Sequence, residues 1–585
     1  MPGSFEDVPT AKFPRSRACG ATASSRPGSL RSRHSYILLP LIVKFNVKVG
    51  RMNRRSFLAN SAFFPTLLRG FRTRQDRDFD VLVRGGSVLD GSGAPAERKD
   101  VGIRGEVVTA VSDLTGATAR RILDASGLTV SPGFIDVHTH SEEELLVNPK
   151  AESKIRQGVT TEILGMDGGS YEPRVFSQEL RKLEEGGIAL NAASFVGQGT
   201  IRGLVLGMSD RAATADEIEA MRKLARTAFE QGALGISSGL EYTPGGFAAL
   251  SEIAELAKVM SGTQGLYATH MRNEDDRVLE AVEESIEIAE RAGVGLHISH
   301  LKCQGKRNWG KLDSIFEAIR KAETRGVSVT MDRYPYIAYS TTLANLMPLW
   351  SREGGTEEFL RRLQSADDWP RIRAAMEEKI ALLGSWDAVM ISSVEREKNK
   401  PLQGKTIAEI VKERGEDPFL YTRALILEEK NRVGMVGFGM EEETTARVLA
   451  HPKCMPASDG IALADYGELR KGNPHPRSYG TFARVLGKYV REEKIMPLEE
   501  AIRKMTSLPA ERFSLARRGR LATGFFADVV VFDPAKVRDR ATFAEPHQYA
   551  DGFEAVLVNG VVVFEGGERT EELPGKVIRS TVFSA

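Results

Sequence analysis

The segment GFIDVHTH at residues 133–140 decides the fold of this chain. Its apolar residues favour a short buried strand, and it ends in two histidines, His138 and His140, separated by one residue. Alternate residues of a strand lie on the same face, so both imidazoles are expected on one side. Two adjacent imidazoles at a strand end can bind one metal ion. The pair alone is also typical of polar strand ends, so the metal prediction depends on the rest of the chain.

Three later strand-like runs also end in side chains that can bind metal. GLYATH at 265–270 ends in His270, and VGLHISH at 294–300 ends in His300, with a helical pattern at about 274–292 between them. Further on, CMPASDG at 454–460 places Asp459 at the end of another run. In a β/α barrel the active site lies at the carboxyl ends of the strands. The recurrence of these side chains therefore predicts one shared site.

Strand and helix patterns alternate along the chain. Eight strand candidates are predicted, at residues 133–140, 159–165, 191–197, 233–238, 266–270, 295–300, 328–334 and 454–459. Helical patterns follow most of them, for example at 216–231 and 247–262. Alternation of this kind favours parallel strands. Eight units with a site at one face predict an α/β fold, a closed (β/α)8 TIM barrel, over an open sheet with scattered histidines.

The order of several short motifs resembles the D-aminoacylase (N-acyl-D-amino-acid deacylase) group of the amidohydrolase superfamily, from about residue 78 to about residue 567. The motifs are DVLVRGG at 80–86, GFIDVHTH at 133–140, GVTT at 158–161, GALGISSGL at 232–240, YPY at 334–336, SDG at 458–460, HPR at 475–477 and ADVVVFDP at 527–534, together with the strand ends at His270 and His300. In this superfamily the β-rich flanks pair into a small β-sandwich beside the barrel.

The resemblance implies a metal-ligand set at the strand ends. It consists of His138, His140, His270, His300 and Asp459, with Asp459 also shuttling a proton. Where the group usually has a cysteine ligand, this chain has Asp167 in the turn GMDG at 165–168. A carboxylate can bind zinc and can bridge two ions. One or two divalent ions, foremost Zn²⁺, are expected, with His270, His300 and Asp167 as the tighter position.

The same resemblance implies a subsite for a substrate carboxylate. Arg477 matches the position that grips the α-carboxylate, helped by Tyr334 and Ser340, and a guanidinium fork suits a planar carboxylate. A solvated surface arginine and a core tyrosine are the alternatives for these positions. Gln198 stands where the group often has a histidine; its amide can hydrogen-bond an oxyanion or the substrate but cannot carry a proton.

The expected function is metal-dependent hydrolysis of the amide bond of N-acyl-D-amino acids, or of dipeptides with a D-residue at the carboxyl end. The partner is a small molecule with a free carboxylate. The same scaffold hydrolyses cyclic amides, as dihydropyrimidinases and hydantoinases do, or β-aspartyl (isoaspartyl) dipeptides. Many of those enzymes carry a carbamylated lysine, and no lysine stands at the matching strand ends. The missing cysteine and third-strand histidine leave a catalytically silent binding protein as another alternative.

Composition agrees with a large soluble enzyme. The chain has 585 residues, 41% hydrophobic residues and a net charge of +1, and nothing in it suggests a nucleic-acid partner. No run approaches a membrane span, because ILLPLIV at 37–43 is short and contains a proline. Two histidines near the motifs are assigned no ligand role: His297, three residues before His300, points to the opposite strand face, and His475 is an outer neighbour of Arg477 or a loop residue.

The predicted domains follow from these patterns. Residues 1–51 are an uncertain upstream extension, and 52–75 a twin-arginine export signal marked by NRRSFL at 53–58, with Met52 as the suspected start. Residues 76–131 and 515–585 form the two parts of the sandwich. The barrel spans 132–514, with an inserted lid or subdomain at about 345–451 between strands 7 and 8. The signal predicts a periplasmic protein; a cytoplasmic location is the alternative.

Overall fold

The computed structural model describes residues 77–580. The predicted upstream extension and export signal lie outside this range. The β-strands are β1 Phe79–Val88, β2 Glu97–Arg104, β3 Val107–Ser112, β4 Ala119–Asp124, β5 Thr129–Pro132, β6 Phe134–Asp136, β7 Val159–Leu164, β8 Asn191–Ser194, β9 Val196–Gly197, β10 Gly235–Gly239, β11 Leu266–His270, β12 Gly295–Ile298, β13 Val329–Arg333, β14 Ala338–Thr342, β15 Val389–Ser393, β16 Gly434–Phe438, β17 Cys454–Pro456, β18 Val529–Phe532, β19 Phe553–Val558, β20 Val561–Glu565 and β21 Glu568–Arg569.

The α-helices lie mostly between these strands. They are α1 Glu144–Val147, α2 Glu152–Ile155, α3 Phe176–Gly186, α4 Gln198–Leu206, α5 Ala215–Glu230, α6 Leu250–Ala257, α7 Val278–Ala292, α8 Leu312–Thr324, α9 Thr356–Gln364, α10 Trp369–Leu383, α11 Ile407–Arg414, α12 Pro418–Glu428, α13 Glu442–Ala450, α14 Arg477–Arg484, α15 Leu498–Met505 and α16 Ser507–Arg512. No helix of the described range combines the length and apolarity that crossing a membrane needs.

Two arcs of parallel strands form the centre of the fold. One arc has the order β17-β13-β12-β11-β10-β9 and the other the order β6-β7-β8. Phe195 separates β8 from β9, so the strand predicted at 191–197 is interrupted. At the other end, a parallel bridge between Thr139 and Gly460 joins the segments that follow β6 and β17. The fold is therefore α/β with its parallel strands linked edge to edge.

Helices cover these strands with amphipathic faces. In α7 the buried residues include Val278, Val282, Ile286 and Ala289, a spacing of three or four that lines up one face. Helix α5 begins at a capping box in which Thr214 and Glu217 each satisfy the other's backbone amide. The helix predicted at 274–292 begins later, at Val278, and the one predicted at 247–262 ends its α-helical part at Ala257, followed by a 3-10 turn.

The two flanks of the chain meet in one sheet. Its order is β21-β20-β19-β18-β5-β1-β2-β3, with β4 paired to β1. Strand β18 pairs antiparallel with β5, which directly precedes β6 of the central arc. Buried valines and leucines such as Val83, Val529 and Leu557 fill its apolar layer. The flanking sheet therefore holds the start of the first central strand in place.

The predicted insertion is a subdomain with its own sheet. Strands β14, β16 and β15 pair antiparallel in that order, and helices α9 to α12 pack on a separate apolar cluster. It starts with β14 at Ala338, earlier than the predicted 345, because the chain turns out of β13 at once. The helix predicted at 369–383 has these bounds in α10. The subdomain places Ser340 and Asn345 beside the ends of the central strands.

Candidate metal centre and active site

Six predicted side chains come together where the parallel strands end. His270 is the last residue of β11, while His138, Asp167 and His300 lie just beyond β6, β7 and β12. Asp459 lies three residues past β17, because that strand ends at Pro456 and not at residue 459 as predicted. His140 completes the group. Each side chain comes from a different strand end, except for the His138–His140 pair.

Asp167 lies at the middle of this cluster. Its Oδ2 is 3.3 Å from His138 Nε2 and 3.3 Å from His300 Nε2. The same oxygen is 3.6 Å from His270 Nδ1 and 3.7 Å from His140 Nε2. One carboxylate oxygen thus faces all four imidazoles. This is the position that a ligand shared between two ions would take.

Asp459 closes the cluster on the side of β17. Its Oδ1 lies 3.1 Å from His140 Nε2, and its Oδ2 accepts a hydrogen bond from Arg477 Nη1 at 2.7 Å. Burial disfavours the ionised carboxyl, but the Arg477 guanidinium and then His138 outweigh burial and hold the pKa of Asp459 well below its usual range. Asp459 is therefore an ionised carboxylate with a fixed orientation.

The cluster fits one or two divalent ions. Ligand atoms of His138, Asp167, His300 and Asp459 lie within 4.8 Å of one another, as do those of His270, Glu274 and His300. Among the described residues, three buried atoms of the cluster have no hydrogen-bond partner: His138 Nε2, His270 Nε2 and Asp167 Oδ1. Buried polar atoms are normally paired, so unpaired ones in a set of imidazoles and carboxylates point to a metal.

The backbone of the cluster is strained at three positions. Asp167, His300 and Asp459 have φ angles of 55°, 33° and 47°, in the left-handed region that side chains other than glycine rarely adopt. Such outliers persist where the surrounding structure imposes them, and they concentrate at functional sites. All three follow strand ends, where a sharp turn directs the side chain toward the centre.

A small chamber opens onto the cluster. Tyr334 and Ser340, two predicted substrate residues, line it. The buried hydroxyls of Tyr334 and Tyr339 have no hydrogen-bond partner within residues 77–580. These hydroxyls are free to bind a polar ligand. The full lining is His140, Asp167, Glu241, Tyr242, His270, Glu274, His300, Lys302, Gln304, Tyr334, Tyr339, Ser340, Thr341, Asn345 and Asp459.

Two other predicted substrate residues lie outside this lining. Arg477 is buried behind Asp459, and its guanidinium carbon lies 4.9 Å from the ring centroid of Tyr334. Arg477 is therefore not a solvated surface arginine. Gln198 begins α4 and is fully buried, and neither of its amide atoms has a partner among the described residues.

Comparison with known proteins agrees with this geometry. Residues 462–564 match a sequence model of the amidohydrolase family. The D-aminoacylase of Alcaligenes xylosoxydans xylosoxydans is 36% identical over 524 residues, which cover 86% of this chain and 98% of that protein. The chain belongs to the D-aminoacylase group of the amidohydrolase family. The prediction from sequence motifs is thereby confirmed.

Solved structures extend the likeness to three dimensions. The N-acyl-D-glutamate deacylase of Bordetella bronchiseptica, complexed with zinc and a phosphonate that mimics the tetrahedral intermediate, has 34% identity and a TM-score of 0.73, covering 86% of this chain and all of that one. The L-hydantoinase of Arthrobacter aurescens has 16% identity and a TM-score of 0.53, over 86% of this chain and all of that one. The hydantoinase shares the fold alone.

This amidohydrolase also has an outer layer of residues that sequence analysis missed. Asp332, in β13, places Oδ2 3.2 Å from His138 Nδ1 and 2.9 Å from His297 Nε2, and its Oδ1 accepts the backbone amide of His300 at 2.9 Å. His297 lies 2.9 Å from Thr330 Oγ1 on its other nitrogen, so it is a hydrogen-bonded histidine, as predicted. Partners of this kind orient ligands and fix their tautomers.

Glu274 and Lys302 form a second outer pair. Glu274 Oε1 is 3.0 Å from His300 Nδ1, and Lys302 Nζ donates to that oxygen at 2.6 Å. Burial disfavours ionised Glu274, but Lys302 and then His270 outweigh burial and lower the pKa of Glu274. Glu274 lies four residues after His270 in the sequence, and Lys302 lies two residues after His300. This short spacing from the predicted ligands is the feature of the sequence that could have identified both residues.

His475 and Lys154 hold the segments that carry Arg477 and Asp459. His475 Nδ1 accepts the backbone amide of Arg477 at 3.0 Å, and its Nε2 contacts the carbonyl oxygen of Ala338 at 2.9 Å. Burial and then the Arg477 charge hold the pKa of His475 well below its usual range, so it is neutral. Under Asp459, the buried Lys154 donates to Ser458 Oγ at 2.8 Å. These contacts fix the turn that carries Asp459.

Proposed function

We propose that this member of the family is a metal-dependent hydrolase of linear amides, acting on N-acyl-D-amino acids or on dipeptides with a D-residue at the carboxyl end. The observation that carries the proposal is the position of Asp167 Oδ2, which faces four imidazoles within 3.7 Å at the floor of the chamber. Relatives that align over nearly their full length are named for this reaction.

We infer a closed eight-stranded barrel from the strand order. The two parallel arcs lie next to each other in the chain at Phe195 and are bridged at Thr139 and Gly460. A closed barrel would direct every strand end toward one face, where the six side chains lie. We propose that the flanking sheet belongs to the sandwich predicted from the two flanks of the chain. The subdomain that starts at Ala338 contributes Ser340 and Asn345 to the lining of the chamber.

The metal of the proposal is zinc, as one or two ions. His270, His300 and Asp167 would hold the tighter ion, and His138, His140 and Asp459 would complete the adjoining position, with Asp167 shared. When bound, a divalent ion supplies a Lewis acid that polarises a carbonyl and makes a water molecule more acidic. Asp332 and Glu274 would keep His138 and His300 oriented through their Nδ1 atoms.

Asp459 carries the proton in this proposal. Arg477 holds Oδ2 of Asp459, which leaves Oδ1, on the side of His140, to accept a proton from the attacking water. The same oxygen then gives the proton to the leaving nitrogen, so that a neutral amine departs. General acid–base steps of this type contribute about 10²–10⁴-fold to rate.

The substrate carboxylate is assigned to the chamber wall formed by Tyr334 and Ser340, with Arg477 behind that wall. The free Tyr334 hydroxyl can donate a hydrogen bond to it, and the guanidinium on the far side of the ring adds positive charge. Anchoring the carboxylate and the acyl carbonyl leaves one open direction for the side chain. We propose that this direction suits the D-enantiomer. Gln198 stays a proposed hydrogen-bond partner of the oxyanion or the substrate, since neither of its buried amide atoms has a partner among the described residues.

Hydrolysis of cyclic amides is disfavoured as a second candidate, because hydantoinase shares only the fold with this chain. A silent binding protein would have no reason to keep an ionised, oriented Asp459 beside three imidazoles. Export by the twin-arginine route and the start at Met52 stay predictions. They agree with an enzyme that acquires its metal while folding.

Chelation and reconstitution test the proposal. Enzyme purified without chelator should release free amine from N-acetyl-D-leucine, lose this activity on dialysis against a chelator, and regain it with about one equivalent of zinc per chain. His270→Ala should neither retain the ion nor recover activity. Full activity in metal-free protein would refute the proposal.

A further inference from the structure

A second cavity lies at the ends of the central strands that face away from the metal centre. Leu234, which directly precedes β10, and Leu266, the first residue of β11, line it. The metal ligand His270 is the last residue of β11, so about 13 Å of strand, at about 3.3 Å per residue, separates it from Leu266. The cavity has a volume of about 470 Å³. It is therefore a separate site that the proposed reaction does not use.

Four arginines of the described residues line this cavity, and two of them are paired with carboxylates. Arg518 pairs with Asp528, and Arg520 Nη2 lies 3.0 Å from Asp90 Oδ2. The Nε atom of Arg520 is buried and has no hydrogen-bond partner among residues 77–580. The charges of these two arginines are neutralised within the protein, so they do not require a ligand.

Arg512, the last residue of α16, is a largely buried cation of the cavity without a carboxylate partner. Its Nε donates to Thr330 Oγ1 at 2.9 Å, its Nη1 to Ser328 Oγ at 3.0 Å and its Nη2 to the carbonyl oxygen of Leu296 at 2.6 Å. All of these acceptors are neutral oxygens. Burial alone lowers the pKa of Arg512 to about 10, since no neighbouring carboxylate offsets the loss of water. The protein thus satisfies the hydrogen bonds of Arg512 but does not neutralise its charge.

Arg517 is the other unpaired cation of the cavity. It is exposed, and its guanidinium carbon lies 4.5 Å from the ring centroid of Phe526, with no carboxylate at ion-pair distance in residues 77–580. Within the described residues, Glu511 is the only acidic side chain that lines the cavity, and it is exposed. Two unpaired guanidinium groups and one carboxylate leave one net positive charge. A ligand with a single carboxylate balances this charge, whereas a phosphate monoester, with about two negative charges, exceeds it.

The remaining wall of the cavity is apolar. It is formed by two leucines and two phenylalanines, Leu234, Leu266, Phe195 and Phe525. Sites for small molecules are mostly apolar clefts of about 300–1,000 Å³ with a few polar groups that fix the orientation of the ligand. The volume, the apolar wall and the unpaired arginines of this cavity agree with that description.

We propose that this cavity binds an amphipathic monocarboxylate, a molecule with an apolar chain that ends in a carboxylate. The guanidinium groups of Arg512 and Arg517 bind the carboxylate, to which their planar forks are matched. The apolar chain lies against Phe195 and Leu266, where its burial adds to the affinity. This site goes beyond the proposed function and does not depend on it.

Three small molecules test the two parts of this ligand separately. Octanoate has both the chain and the charge, octan-1-ol has the chain alone, and acetate has the charge with almost no chain. In calorimetric titrations of the zinc-loaded native protein, octanoate should bind at least about tenfold more tightly than either of the others, the size expected of one charge-assisted contact or of a buried chain.

Arg517→Gln assigns this binding to the cavity. The residue is exposed and far from the metal centre, so the variant should fold and should hydrolyse N-acetyl-D-leucine at the native rate. It should bind octanoate at least about tenfold more weakly than the native protein and octan-1-ol equally well. Arg320→Gln, which removes an exposed arginine of α8 that does not line the cavity, is the matched control and should bind octanoate with native affinity.

The other outcomes overturn the inference. No measurable binding of octanoate to the native protein contradicts it, and so does equal affinity for octanoate and octan-1-ol. Native affinity for octanoate in Arg517→Gln, together with competitive inhibition of hydrolysis, would place the bound octanoate at the metal centre. The titrations do not require turnover. A native protein that binds octanoate as expected but cleaves no N-acyl-D-amino acid would therefore refute the proposed function and leave this inference standing.

Discussion

Arg477 donates a hydrogen bond from Nη1 to Asp459 Oδ2 over 2.7 Å, with both side chains almost fully buried. This contact gives Arg477 a second task besides attraction of the substrate carboxylate, since it also fixes the carboxylate that carries the proton. The two tasks predict different kinetic signatures.

Arg477→Ala should lower kcat on every amide, because Asp459 loses its fixed orientation. It should lower kcat/KM further on substrates with a free carboxylate; truncating one member of a buried charge pair costs about 2–5 kcal/mol. Steady-state kinetics on an N-acyl-D-amino acid and on its carboxamide separate the two effects. Arg477→Lys keeps the positive charge but lacks the planar guanidinium group. Its kcat and kcat/KM should therefore lie between those of Arg477→Ala and those of the native enzyme. Equal losses on both substrates would limit Arg477 to positioning Asp459.

Asp459→Asn should leave the fold intact and reduce kcat by at least about 10²-fold, because an amide cannot accept the proton. The expected effect is on turnover, with a smaller change in KM. Single-turnover kinetics with metal-loaded protein would measure it. Near-native turnover would assign the proton transfer to another group.

Asp167 should be essential for metal retention. Because its φ is 55°, Asp167→Asn is the better variant, since asparagine tolerates this backbone region and alanine does not. Loss of the shared carboxylate should lower metal content to at most one weakly held ion, as measured by elemental analysis. Asp167→Cys should retain metal but shift its preference toward softer ions. Unchanged metal content in Asp167→Asn would make Asp167 a turn residue only.

Asp332 should affect the affinity of the site for metal without binding the ion itself. Asp332→Asn weakens the contacts to His138 and His297, and removal of such partners typically lowers metal affinity about 10–100-fold. Competition with a chromogenic chelator would measure this affinity. Asp313→Asn, an exposed carboxylate paired with Arg447, is the matched control and should have native affinity. Native affinity in Asp332→Asn would show that the backbone alone positions His138.

The strand-end pattern made much of the site predictable. The apolar runs ending in His270, His300 and Asp459 were visible as local periodicity, and parallel strands bring such ends together. Asp332 was not predictable in this way, because its partners His138 and His297 lie on other parts of the chain. The interruption at Phe195 and the late start of α7 at Val278 depend on tertiary packing, which local patterns do not encode.

The role of Arg477 shows a different limit. A motif placed it near the substrate, but its direct contact with Asp459 depends on where the first residue of α14 lies relative to the turn after β17. Gln198 is a second example, because its burial at the start of α4, with both amide atoms unpartnered among the described residues, was not visible in its motif.

The ratio of kcat/KM for paired N-acetyl-D- and N-acetyl-L-amino acids tests the central claim most directly. If the carboxylate is held at Tyr334 and Arg477 while the acyl carbonyl is held at the metal centre, only one enantiomer places its side chain in open space. The account predicts hydrolysis of the D-forms with a preference of about 10²-fold or more, a discrimination that steric exclusion in a site can supply. Equal rates for the two enantiomers, or a preference for the L-forms, would contradict it.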